Sequence, residues 1–136
     1  MKPLLLTGFV ESGEGMAGSM LNCPTANIAI KQGDLIPGLG VYVGLTEFEA
    51  VQYPSLICVS GGRTGVQLKV EVHLLDQTKE LYGKRLSILI IDRIRDIVPF
   101  PGIQKMAEMI AQDVIDAKTW FSTHPVAEFL GNIPKI

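Results

Sequence analysis

The sequence predicts a mainly β fold, a small antiparallel barrel of five or six strands with one C-terminal helix packed on it. Three observations carry this reading. Val66 to Leu74 alternates apolar and polar residues, as a strand with one buried face must. Short runs rich in β-branched and aromatic residues recur as far as Arg95. Ile103 to Phe121 then switches to apolar residues every three or four positions, the repeat of a helix. The connections between strands are too short for the crossover helices of a parallel sheet. An antiparallel sheet must hide its edges, and closure into a barrel does so.

In chain order, Leu4 to Val10 reads as the first strand. Gly8, Gly13, Gly15 and Gly18 fall within eleven residues, and glycine this dense makes a loop. Pro24-Thr25-Ala26-Asn27 follows, then a short apolar piece, Ile28 to Ile30. Lys31 to Leu39, with Gly33, Asp34, Pro37 and Gly38, is a second loop. Gly40 to Phe48 and Tyr53 to Ser60 read as strands, and Gly61 to Gly65 as a turn. Along Val66 to Leu74, Lys69, Glu71 and His73 share the polar face. Asp76 to Gly83 is a connection. In Arg85 to Arg95, Leu86 and Ile88 to Ile91 run almost without a polar break, so both faces should be covered mid-strand. Met106, Ile110, Val114, Ala117 and Phe121 form one stripe of an amphipathic helix, with Pro101 and Gly102 ahead and Pro125 beyond. Val126, Phe129 and Leu130 could pack back on the domain. The barrel then occupies about 4–96, the helix about 103–121 and the tail 122–136 of one domain.

A length of 136 residues suits one core. With 47% apolar and 19% charged residues the chain can bury that core, which excludes whole-chain disorder. Its net charge of −2 offers no pull toward a phosphate backbone, so nucleic acid is not an expected partner. Cys23 and Cys58 are too few for a disulfide scaffold and lack metal-ligand spacing, which favours a reducing, cytoplasmic setting. Met1 to Val10 does not read as a secretory signal, and no run nears the ~20 apolar residues of a membrane span, so neither export nor a membrane partner is expected. A monomer is compatible with the sequence.

Three features could carry chemistry. A glycine-rich loop with Gly13 and Gly15 can bring backbone N–H groups to phosphate oxygens. Thr25 and Asn27 behind it offer hard oxygen ligands suited to Mg²⁺. The same stretch also suits a plain surface loop and turn; it is neither a Walker pattern nor a dinucleotide fingerprint. Glu71, beside His73, could take a proton from a hydroxyl nucleophile, or could be one charge of a solvated strand face with Lys69. Arg93 and Arg95 close the last strand before Phe100, where an arginine can hold a planar ligand or simply face water.

Together and in this order, these segments resemble riboflavin kinase, which makes FMN from riboflavin and ATP. The resemblance rests on Gly13 and Gly15, Pro24-Thr25-Ala26-Asn27, Gly40-Val41-Tyr42, Glu71-Val72-His73, Leu81-Tyr82-Gly83, Ile94-Arg95 with Phe100, and Asp113 in the helix. It covers roughly residues 4 to 121. It implies a six-stranded Greek-key barrel, in agreement with the strand count above. It also implies roles: Thr25 and Asn27 on Mg²⁺ and the ATP phosphates, Glu71 as general base toward the riboflavin 5′-hydroxyl, Arg95 at the flavin end. The Gly13–Gly15 flap would close over the nucleotide. Such a site works by positioning and charge neutralisation, with water kept out.

The chain departs from the family pattern in the flap. Met16 and Asn22 stand where the family usually has arginine and glycine, and Glu11 to Cys23 holds two acids and no basic residue. The stretch Gly61 to Gly65 keeps Arg63 and Thr64 without the family's proline. Many bacterial members carry an adenylyltransferase domain ahead of the kinase. This chain starts at its first strand, so FMN and not FAD is the expected product. Two alternatives stay open: a catalytically impaired flavin- or nucleotide-binding module of the same fold, and a small barrel used for protein contacts.

Overall fold

A computed structural model describes residues 2–11, 25–31, 33–61, 68–77, 79–129 and 131. The strands are β1 (Leu4–Glu11), β2 (Ala26–Ile28), β3 (Gly40–Phe48), β4 (Val51–Ser60), β5 (Lys69–Leu74) and β6 (Arg85–Arg95). A long helix, α1 (Ile103–Thr123), and a 3-10 turn, Val126–Glu128, follow. The strands form a closed antiparallel barrel in the order β1-β2-β5-β4-β3-β6, with β6 pairing back on β1. β3, β4 and β5 are successive neighbours and β2 returns beside β5, which is the Greek-key arrangement.

Alternation sorts the side chains. Val70, Val72 and Leu74 point into the barrel, where Leu6, Val10, Ile28, Tyr42, Ile57, Val59, Leu86, Ile88 and Ile90 meet them. Buried Ser55 donates to buried Thr46 at 2.8 Å, so neither hydroxyl is stranded in the apolar interior. Gly44 lets β3 and β6 approach: a Cβ there would lie 2.2 Å from the Leu89 carbonyl oxygen and 2.7 Å from Ile57 Cδ1.

A second apolar layer lies outside the barrel. Val41, Val43 and Leu56 pack with Ala117, Val114, Trp120 and Phe121 of α1. Leu45, Leu89 and Ile91 pack with Trp120, Phe121, Val126 and Phe129. The helix therefore covers the outer faces of β3, β4 and β6, which is why β3 and the middle of β6 are buried on both sides. On β2 and β5 the outward residues Asn27, Lys69, Glu71 and His73 are only half-buried. The helix leaves this wall free among the described residues.

Some boundaries differ from expectation. The short apolar piece Ile28 to Ile30 meets a strand only at Ile28: β2 is Ala26–Ile28, because its ladder is set by β5, with Ala26 facing Val72 and Ile28 facing Val70. β5 begins at Lys69; Leu68 lies outside the ladder and is 41% exposed, and Val66 falls outside the described residues. β4 begins at Val51, paired to Phe48 across a tight turn. α1 runs on to Thr123, past Phe121. Val126 and Phe129 do pack back on the barrel, while Leu130 lies outside the described residues. No helix among the described residues is long and apolar enough to cross a membrane.

Candidate active site

One row of outward side chains crosses the barrel wall. Glu11 lies opposite Asn27, and Asn27 opposite Glu71. Glu71 lies opposite Cys58, Cys58 opposite Val41, and Val41 opposite Arg95. Directly opposed residues of an antiparallel pair share a face, with Cα atoms about 4.5–5.5 Å apart. Glu71 is thus flanked on one side by Asn27 and on the other by Cys58. Thr25, just ahead of β2, reaches the same spot: its Oγ1 donates to Glu71 Oε2 at 3.2 Å, across 46 residues of sequence. A hydroxyl, an amide and a carboxylate converge on the wall that α1 leaves open.

The far end of the row is built differently. Arg95 Nε donates to Asp113 Oδ1 at 2.7 Å and Nη2 to Oδ2 at 2.8 Å, a two-pronged pair between β6 and α1. Arg95 Nη1 also donates to the Asp96 carbonyl at 3.0 Å. The Asp113 side chain is 7% exposed and that of Arg95 26%. The bond to Asp113 pushes the guanidinium pKa upward, with burial opposing. Three strand spacings, roughly 14 Å, separate the Cα positions of Arg95 and Glu71 along the row. The structure therefore gathers Thr25, Asn27 and Glu71 in one place and sets Arg95 apart, clamped to the helix.

Cys58 sits between these two ends. It packs against the layer under α1. Burial first, then the neighbouring Glu71 carboxylate, pushes its pKa from an ordinary 9.0 up to about 12. It is a protonated packing residue, not a nucleophile. On the other side of Asn27 lies an open depression of about 310 Å³, walled by Glu11, Asn27, Ile30, Leu68 and Lys69 among others.

The family model for riboflavin kinase, described as Flavokinase, matches residues 1–121. This chain belongs to the riboflavin kinase family. It is 30% identical over 127 residues to the bifunctional riboflavin kinase/FMN adenylyltransferase of Bacillus subtilis (strain 168), covering 89% of this chain and 40% of that protein. The enzyme of the same description from Mycoplasma pneumoniae is 31% identical over 122 residues, covering 90% and 44%. The chain thus spans about two fifths of the length of the curated relatives it matches. Among solved structures, riboflavin kinase from Trypanosoma brucei superposes with a TM-score of 0.72 at 24% identity, over 99% of this chain and 89% of that one, a likeness of fold. A Streptococcus pneumoniae protein described as a macrolide-efflux protein gives 0.77 at 26% identity, over 87% and 39%.

Within the riboflavin kinase fold, Thr25 and Asn27 supply hard oxygen donors beside the Glu71 carboxylate. No group of three or more His, Cys, Asp or Glu that could cage a metal occurs among the described residues. The oxygen set fits Mg²⁺ nonetheless, because this ion takes few protein ligands and fills its sphere with water and phosphate oxygens. Gly13 and Gly15 lie outside the described residues, as do Arg63 and Thr64. Sequence reasoning noted Asp113 as part of the helix pattern but did not foresee it as the clamp of Arg95. The available signal was an acid four positions before Ala117, on the stripe that packs against the barrel. Lys69 was read as a surface partner of Glu71, and nothing in the sequence placed it in a cavity wall beside Asn27.

Proposed function

We propose that this chain phosphorylates riboflavin: the γ-phosphate of ATP passes to the riboflavin 5′-hydroxyl, giving FMN and ADP. The observation that carries the reading is the meeting of Thr25, Asn27 and Glu71 on one open wall, with Thr25 3.2 Å from the Glu71 carboxylate. Membership of the riboflavin kinase family supports it.

The roles follow from the chemistry of each side chain. The 5′-oxygen attacks the γ-phosphorus as the bond from that phosphorus to the β,γ-bridging oxygen breaks, and ADP leaves. Glu71 accepts the proton that the hydroxyl loses. Bound Mg²⁺ would neutralise phosphate charge, with Thr25 and Asn27 as its protein oxygens. The Thr25 hydroxyl also holds the Glu71 carboxylate in place, so the base is oriented before the alcohol arrives. Gly13 and Gly15 would hold the nucleotide through backbone N–H groups. Arg95 would serve the flavin end. The isoalloxazine ring lies at the opposite end of riboflavin from the 5′-hydroxyl, so a ring contact away from Glu71 is compatible with its place in the row.

The test is incubation with riboflavin, ATP and Mg²⁺, with FMN followed by chromatography. FMN should accumulate and should stop when EDTA removes the metal. Folded protein that makes no FMN contradicts the reading, and ligand binding without turnover would then identify a binding module.

A further inference from the structure

A triphosphate brings several negative charges, and the wall that would receive it is not basic. Glu11 and Glu71 both stand in the row that contains Asn27. Residues 12 to 24, which join β1 to Thr25, include Glu14 and no lysine or arginine. A bound Mg²⁺ offsets only part of the charge of a nucleotide against such surroundings. Another cation is needed close to Asn27.

We infer that Lys69 is the phosphate-binding cation of this site. Lys69 lies on β5 two residues before Glu71, so the two side chains share the outer face, one step of about 7 Å apart. The depression of about 310 Å³ beside Asn27 has Lys69 in its wall, together with Asn27 and Glu11. Lys69 is half-buried there. The depression is lined mainly by polar groups, as a site for phosphate oxygens would be, with Ile30 and Leu68 at its sides. Lys69 already engages another group in the structure, and a long lysine stem lets the ammonium turn from that partner to a ligand. The ligand class is the di- or triphosphate of a nucleotide. This inference rests on the kinase reading above and adds to it a cation that compensates for the acidic residues around Asn27.

The test measures Lys69→Met and Lys69→Arg beside the unaltered protein, in two arms. In the kinetic arm, Lys69→Met should raise the KM for ATP about tenfold, the size expected for one charge-assisted contact, and leave the KM for riboflavin unchanged. Lys69→Arg should recover most of the loss. Lys118→Met removes an equal charge where α1 pairs with Asp76, and should do nothing. In the binding arm, calorimetry with Mg²⁺ and ADP, AMP or adenosine should show a loss for Lys69→Met that is largest for ADP and absent for adenosine. A KM for ATP that Lys69→Met does not change, or an equal loss for adenosine and ADP, overturns the inference. If the unaltered protein binds Mg²⁺·ADP but makes no FMN, only the kinase reading falls, and the binding arm still decides Lys69. If neither protein binds Mg²⁺·ADP, both fall.

Discussion

Asn27 stands at the centre of the polar wall, with Glu11 on one side and Glu71 on the other. If it ligates the metal, Asn27→Ala should shift the Mg²⁺ dependence of FMN formation upward by about 10- to 100-fold while the barrel stays folded. An unshifted Mg²⁺ curve would remove it from that role. Cys58 gives a second expectation. Its thiol keeps its proton in the fold up to about 12 against an ordinary 9.0. The native state therefore binds more protons than the unfolded chain between those values, and stability falls as pH rises through that interval. Below it the contribution is complete and constant. Urea unfolding at stepped pH should show a steeper alkaline loss for the native sequence than for Cys58→Ala; parallel curves would contradict the burial of this thiol. Glu71 was legible because strict alternation put it on the polar face of one strand. Its bond with Thr25 was not, because 46 residues separate the two and only the β2–β5 register brings them together.

The helix is joined to the barrel by two kinds of contact, an apolar layer around Ala117 and the Arg95–Asp113 pair. Removing one member of a nearly buried pair leaves the other unmatched, which costs more than removing both. Asp113→Ala should therefore destabilise by about 2 kcal/mol in urea titration, reduced from a fully buried case because Arg95 keeps some solvent. The double variant Arg95→Met, Asp113→Leu should lose less than Asp113→Ala alone. Equal or greater loss in the double variant would show that the pair is not what joins these elements. The helix itself was legible from its stripe of Met106, Ile110, Val114, Ala117 and Phe121, and its end fell two residues beyond that stripe. β2 was less so. Three residues carry too little periodicity to mark a strand, and its ladder comes from β5, far away in sequence. Leu68 continued the apolar alternation of β5, yet the strand starts after it and leaves it exposed.

Closure of the barrel gives each strand two partners and leaves one wall, over β2 and β5, free of the helix. That division follows from runs buried on both faces in β3 and β6 against a run buried on one face in β5. The first pattern calls for cover and the second tolerates solvent, so the barrel with its packed helix and the polar face of β5 were legible, while the extent of the helix-free wall across β2 was not. The strand order was not, since it depends on pairings that no local pattern encodes. Ligands that fill the open wall should stabilise the whole domain. At about a hundredfold excess over Kd, Mg²⁺·ADP alone should add roughly 2.7 kcal/mol and raise Tm by on the order of 10 °C. An unmoved Tm would argue that the wall does not bind it. The most direct measurement is the rate of FMN formation by the native protein and by Glu71→Gln under saturating riboflavin, ATP and Mg²⁺. The account predicts steady FMN production by the first and a rate lower by about 10²- to 10⁴-fold in the second, with the melting temperature nearly unchanged. Equal rates would contradict it, because the proton of the 5′-hydroxyl would then be leaving by a route that does not involve Glu71.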